Sequence, residues 1–153
     1  MSRYGAGASR AGINTADSVY FQLRPTSAAQ RLKVLEIVVG IALAPSTAPS
    51  LYLTRSSAVG TSTATLAGQP LDVADAAAIG TLDSTWSAAP TITAANKMGV
   101  GALATTAGGA WVWSFRDWPL VMAADTTDGL CVCNANLSGA TAGTFTCSML
   151  WQE

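Results

Sequence analysis

RLKVLEIVVGIAL, residues 31–43, decides the fold class. Leu35, Ile37, Val39, Ile41 and Leu43 fall on one face of an extended chain, and Leu32, Val34, Glu36, Val38, Gly40 and Ala42 on the other. From Val38 onward neither face carries a charge, so this reads as a strand covered on both sides. A helix competes for an apolar run of this length, but the β-branched residues and the following Pro45 and Pro49 favour the strand. After the turn APSTAPS, residues 51–57 form a second strand with Leu51, Leu53 and Arg55 on one side and Tyr52 and Thr54 on the other. The two are expected to pair antiparallel.

The same alternation recurs on either side of this stretch. Val19, Phe21 and Leu23 alternate with Tyr20, Gln22 and Arg24 until Pro25 ends the run. In AWVWSFRD, residues 110–117, Trp111, Trp113 and Phe115 share one face, a core face in preference to a sugar-stacking platform. Strands are expected at 18–24, 32–43, 51–57, 81–87, 98–105, 110–117, 128–137 and 143–152. Short strands with glycine-rich connections predict an all-β, jelly-roll-like antiparallel β-sandwich.

The chain is expected to hold one such domain, residues 15–153, preceded by a flexible arm. Residues 1–14, MSRYGAGASRAGIN, are small and polar and cannot bury enough to fold alone. Residues 58–110, rich in Ala, Thr, Ser and Gly, read as ordered loops with short strands, with a helical turn or two over Val73–Ile79. In the final strand Phe145, Cys147, Met149 and Trp151 share a face. A hairpin centred near residues 139–141 would set Cys133 opposite Cys147 and Cys131 opposite Met149. Reduced, buried thiols are expected there, since direct cross-strand neighbours seldom have good disulfide geometry.

Composition narrows the function classes. The 153 residues include no histidine and only 11% charged residues, and mean hydropathy lies above zero. Ordinary soluble domains carry about 25% charged residues. Part of this surface is therefore expected to be covered, most simply by other copies in an obligate homotrimer. Catalysis is not expected, because the usual general acid and base is absent and no nucleophile pairs with a base. The eight Lys and Arg residues are dispersed, with a net charge of −1, which gives no footprint for nucleic acid or an anionic membrane. No apolar run reaches the roughly 20 residues of a membrane span, and residues 1–12 lack the apolar stretch of a secretory signal.

Neither cofactor nor metal is expected. Cys131, Cys133 and Cys147 offer three thiolates without an evident fourth ligand. Asp125, Asp128 and Gly129 lack the repeated oxygens of a calcium loop and read as a turn. Asn136-Leu137-Ser138 matches a glycosylation triplet, which has no meaning without a secretory route. Candidate contact residues are Arg3, Tyr4 and Arg10 in the arm, with Trp86 and Trp118, whose surroundings are poor in apolar residues.

RLKVLEIVVG, AWVWSFRDWPLVM and the terminal CSMLWQE together resemble a group of small jelly-roll proteins encoded with tailed-bacteriophage head genes. The resemblance covers most of residues 17–153 and rests on core strands, with Arg31, Trp113, Trp151 and Glu153 at matching positions. It departs at the CVC strand and the Ala/Thr tract. It implies a decoration or cement protein on the capsid, made in the host cytoplasm and located in the virion, with the major capsid protein as partner. The alternative is a carbohydrate- or receptor-binding β-sandwich of a phage tail or adhesin, which requires an exposed cleft with aromatics and carboxylates.

Overall fold

The computed structural model describes residues 1–135 and 143–153. In chain order the strands are β1 (Arg3–Ala11), β2 (Val19–Pro25), β3 (Lys33–Leu43), β4 (Ser50–Ala58), β5 (Thr61–Ala67), β6 (Gln69–Pro70) and β7 (Gly80–Ala88). They continue with β8 (Thr91–Ile92), β9 (Gly99–Ala102), β10 (Ala110–Ser114), β11 (Leu120–Val121), β12 (Gly129–Asn134) and β13 (Thr144–Gln152). Two antiparallel sheets form a jelly-roll-like sandwich. One runs β10-β3-β13-β1-β6 with β11 also on β3, and the other β5-β7-β2-β12-β4-β8 with β9 also on β4.

Between the sheets lies a core that includes Phe21, Leu23, Ile37, Val39, Leu53, Leu82, Leu130, Val132, Phe145 and Trp151. Trp151 is fully buried because Gly68 and Gly80 leave room for its ring. A Cβ on either glycine would come within 2.3 to 2.7 Å of it. Its indole N–H donates to Glu153 at 2.9 Å, and the same carboxylate accepts the backbone N–H groups of Ile79 and Gly80 at 2.9 and 2.8 Å. Trp111 and Trp113 likewise lie over Gly101 and Gly99 of β9, although Trp111 stays 36% exposed.

Three expectations about strand pairing are corrected. Residues 1–14 do not form an arm: β1 is paired along its whole length with β13, from Arg3 opposite Gln152 to Ala11 opposite Thr144. The small residues that looked permissive let this strand lie flat, with Tyr4 buried and Ala6 and Ala8 packed against the core. β3 and β4 do not pair, because the APSTAPS turn carries the chain from one sheet to the other. Nor do β12 and β13 form a hairpin. β12 lies between β2 and β4 with Cys133 opposite Tyr52, whereas β13 lies between β1 and β3 with Cys147 opposite Val39. The intervening 136–142, including the SGATA segment and the Asn136-Leu137-Ser138 triplet, lies outside the described residues. All three cysteines are nevertheless free and buried.

Val73–Ile79 holds no helix. Asp72 instead caps a turn, accepting from the N–H of Ala74 through its side chain and from that of Asp75 through its carbonyl.

The two sheets differ in how they are covered. On its far side the second sheet has another core of Val19, Tyr52, Cys131 and Cys133, packed by Trp86, Ile92 and Ala135. The segment after β8 closes over it, with Thr54 donating to the carbonyl of Asn96 at 2.9 Å and the Lys97 ammonium 4.6 Å from the Tyr52 ring centre. Even Gln22, Ser56 and Asp83 on that side are buried, Asp83 in an ion pair with Arg24 at 2.5 Å. Among the described residues no such cover lies over the first sheet.

Candidate interaction surface

The registers of β1, β13, β3 and β10 set the outward side chains of the first sheet in rows. Gly5, Leu150, Glu36 and Ser114 form one row, Gly7, Ser148, Val38 and Val112 the next, and Ser9, Thr146, Gly40 and Ala110 the third. Glu36 is the only formal charge among these twelve, and its carboxylate accepts two hydrogen bonds from Arg116 at 3.0 and 2.7 Å. These three rows are therefore small-sided and neutral, and the row beyond Glu36, made of Arg3, Gln152, Lys33 and Val121, brings two positive charges to one end of the face. This is where β3 departs from expectation: Ile37, Val39 and Ile41 are buried, but Val38 and Gly40 are only half-buried and Ala42 is exposed.

Both margins of the face are raised. At the β1 edge, Leu66, Ala67, Gln69 and Leu71 stand beside Gly5 and Gly7 and close a groove of about 560 Å³ that is mostly apolar. Leu66 and Leu71 are 46% and 61% exposed. At the opposite edge, the loop between β10 and β11 carries Trp118, 88% exposed. Its neighbours Arg116 and Pro119 share a hollow of about 210 Å³ with Arg3, Leu35, Leu150 and Gln152. Leu150 borders both depressions.

The candidate contact residues are scattered over the molecule. Arg3 lines the hollow at this face together with Arg116 and Pro119, and Trp118 lies between those two in the exposed loop at the β10 edge. Arg10 and Trp86 come together elsewhere: the guanidinium lies 5.1 Å from the indole centre while Nη1 donates to the carbonyl of Val19 at 2.6 Å. Burial pulls the Arg10 pKa below its usual value, so the ring and the carbonyl replace part of its lost water. Asp17, Ser18 and Pro90 complete a hollow of about 230 Å³ around the pair. Tyr4 is removed from the candidates. It is 3% exposed, its hydroxyl donates to the carbonyl of Ala76 at 3.0 Å, and its ring stacks on Trp151.

Sequence reasoning missed Gly5, Gly7, Leu66, Leu71 and Leu150. Only the uncharged stretch after Glu36 pointed to the face they share with Val38. Among the described residues no group of three or more His, Cys, Asp or Glu side chains gathers. The Asp125 carboxylate is occupied by the backbone N–H and hydroxyl of Thr127, which hold its pKa below the usual carboxylate value in a turn. Tyr52 is held neutral by burial first and by its hydrogen bond to Asp17 second.

No protein-family model matches this chain, and no curated protein matches it by sequence.

Proposed function

We propose that this chain is a structural virion protein, a decoration or cement protein that binds the outer surface of a bacteriophage head, stabilises it and performs no catalysis. The observation that carries this reading is the outward face of the first sheet. A broad face of small, mostly uncharged side chains suits another protein better than a small molecule, which needs a concave site. Its partners are the major capsid protein and further copies of itself. The end of the sandwich bearing Arg10 and Trp86 is the head-facing contact in this reading, since Trp and Arg are the residue types that dominate binding energy at interfaces.

A second reading, a carbohydrate- or receptor-binding module, is favoured by one feature. The hollow with Arg10, Asp17 and Trp86 joins an aromatic ring to a carboxylate, and the Trp86 indole N–H is buried with no hydrogen-bond partner among the described residues.

Heads assembled without this protein separate the two readings. Purified protein should co-sediment with them to a fixed ratio per capsid subunit and raise their rupture temperature, and Trp86→Ser should weaken binding at least about tenfold. Failure to bind heads, together with saturable binding to a glycan, would replace the first reading by the second.

A further inference from the structure

We propose that the outward face of the first sheet is a two-fold self-association surface, in which Trp118 of each copy enters the groove beside Gly5 and Gly7 of the other. This goes beyond attachment to a head and does not depend on it. Three observations meet here. β3 has the sequence of a strand covered on both faces, yet the described residues cover only one. The three rows that run from Glu36 to Gly40 carry a single charge, Glu36, paired with Arg116, and the other charges of the face, Arg3 and Lys33, lie together in the row at one end. And the face bears its own knob and hole, an 88% exposed Trp118 in the loop at the β10 edge and a groove of about 560 Å³ walled at the β1 edge by Leu66 and Leu71 and floored as far as Glu36 and Val38.

The register makes these parts fit a two-fold axis. Trp118 follows Phe115, whose N–H donates to the carbonyl of Leu35, so the loop leaves the sheet beside the row that runs from Glu36 through Leu150 to Gly5. Gly5 and Leu150 line the groove. The knob therefore lies at one end of a row and the raised wall of the groove at the other. An axis parallel to the strands, placed in the plane between two stacked faces, exchanges the β10 and β1 edges and keeps each row over its own copy. Each Trp118 then faces the other copy's groove, the reciprocal pattern of an isologous contact. The lack of a Cβ at Gly5 and Gly7 leaves the groove floor open to a ring.

The area suffices. Four strands at about 4.8 Å spacing and about seven residues of length make on the order of 450 Å² of sheet. A seated indole adds up to about 200 Å². The total buried by two copies, about 1,300 Å², lies within the range of specific interfaces, about 1,200–2,000 Å². Composition alone implied covered surface and suggested a homotrimer. A knob and a hole on the same face favour a pair, whereas a ring of three needs them on different faces.

Cross-linking and sedimentation of the full chain test this. In the double variant Trp118→Cys/Leu71→Cys, mild oxidation should give a covalent dimer, while either single variant gives none. The two positions are a sheet's width apart in one copy, too far for an internal disulfide. The wild-type chain at tens of micromolar should sediment as a dimer, and Trp118→Ser and Val112→Arg should each weaken dimerisation at least about tenfold with unchanged circular dichroism. A monomeric or trimeric wild type, or a dimer that ignores both substitutions and does not cross-link, would overturn the proposal. Head binding by the Val112→Arg monomer is scored separately, so the two readings fail independently.

Discussion

Trp151 and Cys147 show how much of the core is decided residue by residue. Alternation along the last strand placed both on the inward face, and both are buried there. The glycines that admit the Trp151 ring, Gly68 and Gly80, come from distant segments and carry no local sign of that role. The thiols follow the same division. Burial pushes the Cys147 pKa up, and the Cys133 pKa is pushed up first by a hydrogen bond with Cys131 and then by burial. An unfolded thiol ionises near pH 8.5. Above that pH the unfolded chain gives up a proton that folded Cys147 keeps, so its contribution is fully present below about pH 8.5 and is lost as pH rises. The loss is about 1.4 kcal/mol per pH unit for this one group. Denaturant titrations from about pH 8.5 to 10.5 should show the slope reduced by that amount in Cys147→Ala. Equal slopes would mean that the thiol is not buried in the native state. Thiol-specific labelling should be slow for all three cysteines in the folded chain and fast after denaturation.

At the scale of elements, β1 is where local reading and structure part most clearly. RYGAGASRA has almost no apolar surface of its own, and isolated it would remain disordered. Its order comes from a nine-residue ladder with β13 and from Tyr4 stacked on Trp151, partners almost 150 residues away. Deleting residues 1–11 would strip a ladder from β13 and uncover Trp151. The truncated chain should therefore melt at least about 10 °C lower or fail to fold, as followed by circular dichroism. Unchanged melting would show that β1 contributes nothing to the fold. β5 was missed for a related reason: TSTATLA is an edge strand with little burial, so no hydrophobic alternation marks it. Strands with a buried face, such as β2, β3, β4, β7 and β13, were legible because side-chain period and burial coincide in them.

For the whole molecule, the connections matter more than the strands. β3 to β4 and β12 to β13 each cross from one sheet to the other, so sequence neighbours do not pair and the native ladders join distant segments. Chains dominated by non-local pairing fold slowly, in milliseconds to seconds, because loop closure precedes the contacts that reward it. Stopped-flow refolding followed by tryptophan fluorescence should fall in that range. A microsecond phase carrying the full amplitude would contradict this topology. The amino-acid sequence by itself determined the all-β class, most of the strands and their inward faces, and the shortage of charge that leaves surface to be covered. These are properties of alternation and composition, read within a few residues. Only the tertiary structure decided which strands pair, that Arg3–Ala11 belongs to a sheet, and that the neutral rows of β1, β13, β3 and β10 form one face with the Trp118 loop at its rim. Pairing depends on contacts between distant segments, and a face assembled from four of them exists only once those segments meet.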